Sequence, residues 1–221
     1  MITHKNNVKI VLIAGASASG KGHLINNICK KLDGMEKEHK PEIIQFSLDN
    51  YYYSLSSEDK KIAESGDYNF DDPQSVDLES AYKDLKALSL NQSRVYVPIY
   101  DFVTHSRKNI YTIIEPINMK EDTVRIIFVD GIFSLLSEQI RKLAFLKIYV
   151  QTDENICLGR RIERDSRERG RTYGDIINQY NRFVKPAYYD WILPSSYNAD
   201  MCVPYNIENN TAIDMIIRFL W

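Results

Sequence analysis

The 221-residue sequence is poor in the features that mark a secreted scaffold or a membrane protein. Its three cysteines, Cys29, Cys157 and Cys202, are odd in number and widely spaced, with no CxxC or Cys/His pattern. That argues against a disulfide frame or a zinc site and for free thiols in a reducing compartment. Long apolar runs are missing too. The polar first nine residues lead into the short apolar segment 10–14, which has neither the layout of a signal peptide nor the length of a membrane span. The expectation is a soluble, cytosolic protein without a membrane partner. Neither sign of charge dominates, since 28 Lys and Arg face 30 Asp and Glu for a formal net charge of -2. No global field gathers nucleic acid or anionic lipid, so any anion site must be local. The sequons at Asn91 and Asn209 need a secretory route to mean anything and carry no weight.

What is present is enough apolar material, 44% of the chain, for one well-packed core and a single domain over 1–221. Segment 8–14 is an apolar, β-rich run ending at Gly15, as expected of a strand buried on both faces. After the glycines, Leu24, Ile25, Ile28 and Leu32 recur at helical spacing and Gly34 offers a stop. Apolar runs at 43–46, 124–129 and 146–150 alternate with amphipathic stretches around 76–88, 135–143, 156–167 and 173–189. Such alternation predicts an α/β fold, a parallel sheet flanked by helices in three layers. Segments 94–102 and 110–117 break the pattern and read as a β-hairpin with a polar turn at 105–109, set beside the main sheet. A last strand at 201–203 and a helix at 213–220 close the chain. Tyr188, Tyr189 and Trp191 read as core or interface packing.

Gly15-Ala16-Ser17-Ala18-Ser19-Gly20-Lys21 matches GxxxxGK between a buried strand and an amphipathic helix. In that setting backbone N–H groups wrap phosphate oxygens while the lysine reaches the terminal phosphates. The next position, where Ser or Thr would join a magnesium shell, is Gly22, followed by His23. Water can take the vacant place, with weaker metal binding and slower transfer as the consequence. Asp49 follows the second strand, where open α/β sheets keep their ligands. There it can orient a hydroxyl, accept its proton and hold magnesium, or merely form a turn with Asn50. Asp130 ends the run 125–129 in the manner of a Walker-B acid, with a loop-capping aspartate as the bland reading.

The GxxxxGK loop, Leu48-Asp49-Asn50-Tyr51-Tyr52, Tyr68-Asn69-Phe70-Asp71-Asp72-Pro73 and the segment Pro98-Ile99-Tyr100-Asp101-Phe102-Val103-Thr104-His105-Ser106-Arg107 together resemble the uridine–cytidine kinase family of P-loop nucleoside kinases. The similarity runs on through Arg160-Arg161-Ile162-Glu163-Arg164-Asp165, Arg167 to Arg171, Gln179-Tyr180 and Phe183 to Ala187, over about residues 8 to 205. The resemblance implies that Asp49 is the base acting on a ribose 5′-hydroxyl, helped by Tyr52, and that Asp71 holds the ribose hydroxyls. It implies a base pocket of Phe70, Tyr100, Phe102 and His105. Read without it, Tyr100 and Phe102 are simply one side of a strand.

The arginines at 160, 161, 164, 167, 169 and 171 alternate with acids, which by charge alone describes a salt-bridged, solvated helix. The resemblance makes the stretch 156–172 a lid, with Arg161, Arg164, Arg169 and Arg171 on phosphate or substrate and Gln179 hydrogen-bonding substrate. It further implies ATP or GTP as donor, Mg2+ held by Asp49 and Asp130, pyrimidine nucleoside as acceptor, and a homo-oligomer, often a tetramer. Gly22, Leu48 in place of Gln and Asp130 in place of Glu depart from the family pattern. Gly22 leaves a weakened nucleoside-binding relative open as a rival function. Another kinase of the same scaffold, phosphoribulokinase- or pantothenate-kinase-like, shares the loop but leaves the segment from Tyr100 to His105 unexplained.

Overall fold

The computed structural model describes residues 7–34, 40–117, 124–204 and 209–220; residues 1–6 of the polar N-terminal stretch, and residue 205, lie outside them. Five strands, β1 (Val8–Ala14), β2 (Glu42–Ser47), β5 (Arg125–Asp130), β6 (Leu146–Gln151) and β7 (Met201–Pro204), form one sheet in the order β2-β5-β1-β6-β7. Every pairing in it is parallel. A sheet of this kind is covered on both faces, which is why its strands carry runs of apolar residues rather than alternation. In β1, Ile10, Leu12 and Ala14 face one core and Val11 and Ile13 the other. The first core is completed by helix α3 (Leu78–Leu90) through Ala81, Leu85 and Leu88. The second is completed by α1 (Lys21–Asp33) through Leu24, Ile25, Ile28 and Leu32, and by the last helix, α9 (Asn210–Leu220), through Ile213, Ile216 and Leu220. The three layers expected from the sequence are therefore present.

Several boundaries move. The hairpin is β3 (Val95–Asp101) against β4 (Ser106–Ile114), so its turn falls at 102–105 and not at 105–109. Asp101 is the cause: its carboxylate accepts from the N–H of Val103 at 2.8 Å and of Thr104 at 3.3 Å, an Asx turn that reverses the chain early. The polar residues after it remain in the strand because β4 is largely exposed. Helix α2 (Ser57–Glu64) has too little apolar periodicity to be expected from sequence; Ser56 caps it, its Oγ accepting from Asp59 N at 3.0 Å. Helix α4 (Glu138–Leu143) begins three residues later than its pattern, because Ser137 caps it by accepting from Ile140 N. Beyond α5 (Glu154–Glu168), the stretch 173–189 is not one helix. Residues 173–195 form α6 (Tyr173–Gln179), α7 (Lys185–Ala187) and α8 (Leu193–Ser195), joined by π-helical turns at Tyr180–Val184 and Tyr188–Ile192. Each wide turn precedes a proline, Pro186 or Pro194, which has no N–H to donate and crowds the preceding turn. Tyr189 and Trp191 are about half exposed here and do not belong to either core.

Arg125, at the start of β5, is 1% exposed. Its guanidinium donates to Glu42 at 2.6 Å, to the Asn91 side chain at 3.0 Å and to the Glu115 carbonyl at 2.8 Å. It thus joins β2, the C-terminus of α3 and the end of the hairpin around one buried charge. Arg125→Met, which keeps the apolar stem but strands these acceptors, is expected to lower stability by about 3 kcal/mol in urea denaturation. A loss below 1 kcal/mol would mean that water replaces the guanidinium.

Candidate active site

The carboxyl ends of β1, β5 and β2 converge. The glycine loop leaves β1, enters α1 and requires unusual backbone: Gly20 has φ 101° and Ala18 φ 62°. At Gly15 a Cβ would sit 2.5 Å from the Val150 carbonyl oxygen, so the loop packs directly on β6. Thr152, just past β6, holds it there by donating to the Ser19 carbonyl at 2.8 Å. Lys21 is 9% exposed and folds back on the loop, its Nζ donating to the Gly15 and Ala16 carbonyls at 3.0 and 2.8 Å. Burial lowers its pKa, an effect opposed by the nearby charges of Asp130 and Asp49.

A cavity of about 710 Å³ opens over this loop, lined by Ser17, Ala18, Gly20, Lys21, Gly22 and His23, with Asp49, Asp130 and Arg164 on its walls. Asp49 sits in a 3-10 turn (Leu48–Tyr51) capped by Ser47. Asp130 is pushed up to about 6, first by burial and then by the charge of Asp49, against the pull of Lys21. Two carboxylates beside a phosphate loop, one of them destabilised as an anion, suit a divalent cation. No cluster of three or more His, Cys, Asp or Glu is placed to enclose a metal among the described residues, so phosphate and water must complete such a shell. Position 22 is open, because a Cβ there would meet nothing within 4 Å.

A second, tighter cavity of about 60 Å³ adjoins the first. Tyr52, Phe70, Asp71, Phe102, His105, Arg161, Arg169 and Arg171 line it, and Ser17, Asp49, Ile132 and Arg164 line both. Phe70 and His105 stack at 4.9 Å between centroids, and Tyr52 packs against Phe70, Tyr100 and Phe102. Burial and then Arg171 lower the pKa of His105, which leaves a neutral ring, and its buried Nδ1 has no hydrogen-bond partner. Burial raises the pKa of Asp71, opposed by Arg161. Two expected residues stand behind this wall and not on it. Tyr100 packs against Tyr52 and Phe102, and Gln179 accepts from Arg171. Arg107, the last residue of the hairpin motif, clamps the hairpin to the Asp49 segment by donating to the Tyr52 and Tyr51 carbonyls at 2.9 and 2.7 Å.

Sequence reasoning overlooked Asp165 as more than one acid among arginines; its signal was arginine at the fourth position before it, immediately before it and at the fourth after it. It also gave no role to Thr152 or to Gly131, where a Cβ would lie 2.8 Å from Leu48 Cβ. That close approach fixes the Asp49 turn against the Asp130 loop.

The parallel sheet and its glycine loop, with carboxylates at the ends of neighbouring strands, define a P-loop protein of the phosphotransferase class. The chain belongs to the phosphoribulokinase / uridine kinase family, whose model matches residues 10–212. A uridine kinase of Schizosaccharomyces pombe is 37% identical over 96% of this chain, which spans 44% of that protein's length. Uridine-cytidine kinase 2-B of Danio rerio is 35% identical over 96% of this chain and 78% of its own length. Among solved structures, phosphoribulokinase from Rhodobacter spheroides superposes with a TM-score of 0.57, 15% identical, over 92% of this chain and 73% of that one, a likeness of fold.

Asp130 holds its proton differently in the folded and the unfolded chain. An ordinary Asp titrates near 3.8 and this one near 6, so the folded protein binds the proton more tightly than the unfolded chain does. Its contribution to stability therefore improves as pH falls through 6 and is a constant penalty above that. In EDTA at pH 8, Asp130→Asn is expected to be about 2 kcal/mol more stable than wild type, the gap narrowing as pH falls below about 6 and closing only near 3.8. Parallel stability curves for the two proteins would contradict this.

Proposed function

We propose that the protein transfers the terminal phosphate of ATP or GTP to the 5′-hydroxyl of uridine or cytidine, giving UMP or CMP, with Mg2+ as cofactor. The observation that carries the reading is the position of Asp49 on the wall shared by the loop cavity and the aromatic cavity. A carboxylate there reaches a hydroxyl held in one cavity and a phosphate held in the other. Its role is to orient the hydroxyl and accept its proton as the oxygen attacks phosphorus.

The loop N–H groups would cradle the β- and γ-phosphates, and Lys21 would exchange its two carbonyl partners for phosphate oxygens. Asp49 and Asp130 would hold magnesium, which when bound neutralises charge on the phosphates. Arg164, Arg169, Arg161 and Arg171 would supply the fixed positive groups on the lid side. Asp71 would take the ribose hydroxyls, the rings of Phe70, Phe102 and Tyr52 would pack the pyrimidine, and neutral His105 would reach its polar edge. At about 60 Å³ the pocket is well below the ~300 Å³ of an ordinary ligand site. The cavity would therefore have to widen on entry of a nucleoside.

Gly22 supports a second reading, a nucleoside-binding relative with weakened chemistry. The first reading also takes the whole chain as one cytoplasmic kinase domain and as a homo-oligomer, tetrameric by resemblance. The outward Tyr96, Tyr111 and Ile113 of the hairpin, each about half exposed, support an assembly. No helix among the described residues is long and apolar enough to cross a membrane.

UMP formation from uridine and ATP under a magnesium titration tests the proposal. Asp49→Asn is expected to lower kcat about a thousandfold. Gly22→Ser, which the open space permits, should lower the magnesium requirement several-fold. Activity only in Gly22→Ser would establish the second reading, and no product from either nucleoside with any variant would sink the first.

A further inference from the structure

We propose that Asp165 is the positioning residue of the arginine cluster: one buried carboxylate that gathers Arg161, Arg164 and Arg169 on the boundary of the two cavities and yields part of its hold to incoming phosphate oxygens. Asp165 is wholly buried in α5. Its Oδ1 accepts from Arg164 Nε at 2.8 Å and lies 3.5 Å from Arg169 Nη1, while Oδ2 is 3.5 Å from Arg161 Nε. Its carbonyl accepts from the N–H groups of Arg169 and Arg171 at 3.2 and 3.1 Å, so the chain leaving the helix is wrapped around it. All four arginines line the tight cavity.

This is not the solvated pairing of a surface helix, which contributes little and needs no single centre. Three guanidinium groups share one anion, and the surplus of positive charge lies along the cavities that these arginines line. The hold is also incomplete. Arg161 Nε and Asp165 Oδ2 are buried without a hydrogen bond, and Arg169 divides itself between Asp165 and the Phe102 ring, 4.4 Å away. Such a cluster is ordered enough to present its charges and loose enough to hand them over. Burial raises the Asp165 pKa but the hydrogen bond and charge of Arg164 outweigh it, leaving a net lowering that keeps the anion present at neutral pH.

Charge and geometry separate on substitution. Ground-state attraction of a polyanion follows net positive charge and tolerates misplaced groups, whereas the transition state needs guanidinium groups in fixed positions. Asp165→Asn is therefore expected to bind inorganic tripolyphosphate about threefold or more tighter by calorimetry, while kcat falls about thirtyfold and the KM for ATP stays level or drops. Asp165→Glu, which restores the anion but sets it one methylene further out, is expected to recover kcat only to about a fifth to a half of wild type. A purely structural role predicts the opposite: weaker tripolyphosphate binding, a lower Tm, and an unchanged kcat per folded molecule. That result overturns the inference. If Asp165→Asn does not fold, Asp165→Glu decides, since a kcat equal to wild type would count against positioning and a several-fold loss at constant KM would support it. The kinetic half of the inference rests on the phosphoryl-transfer reading. An inactive wild type whose Asp165→Asn form still binds tripolyphosphate tighter would fail that reading and leave Asp165 standing.

Discussion

The parallel register of three strands is the constraint on which the rest depends. β5 lies between β1 and β2, with Asp130 level with Ile13 on one side and Ser47 on the other. Two residues beyond Ile13 is Gly15, and two beyond Ser47 is Asp49. The glycine loop and the two carboxylates are therefore brought to one edge by backbone hydrogen bonds, before any side chain chooses a partner. A slip of one residue would turn each strand's buried face over, so packing on both sides of the sheet protects the register.

What that convergence assembles is charge withdrawn from water. Lys21, Asp130, Asp71 and Asp165 are buried or nearly so, and Asp130 and Asp71 are raised by burial. Burying charges that are only partly paired costs stability, and a fold built for stability alone would fill such space with apolar side chains. The pattern makes sense where phosphate and a divalent cation complete the balance. Lys21 resting on loop carbonyls and arginines on Asp165 are contacts that hold these groups in place without satisfying them fully.

The hairpin meets the exit of α5 through a contact of a different kind. Arg107 ties the hairpin to the backbone around Tyr51 and Tyr52, a fixed attachment, whereas Phe102 at the turn offers its ring to Arg169. The aromatic cavity and the arginine cluster thus share a wall at Phe102, whose displacement would cost Arg169 its ring contact and leave it Asp165.

Much of this was legible in the sequence. The glycine loop, the strand before it and the helix after it are local, and their signals are spacing and periodicity among neighbouring residues. Asp49 and Asp130 were visible as acids at strand ends, although residues alone left Asp49 as base, ligand or turn and Asp130 as magnesium contact or loop cap. The hairpin turn was misplaced because its polar residues look alike and Asp101 alone chose where the chain reversed. Nor could periodicity place Tyr100 and Gln179 behind the pocket wall, or separate Asp165 from the acids around it. By itself the sequence determined the layered α/β fold and the phosphate loop, since hydrophobic period and backbone freedom act within a few residues. Only the tertiary structure decided which arginines share Asp165, which rings face the cavity and that Asp49 serves both chambers, since those contacts join segments far apart in the chain and depend on burial.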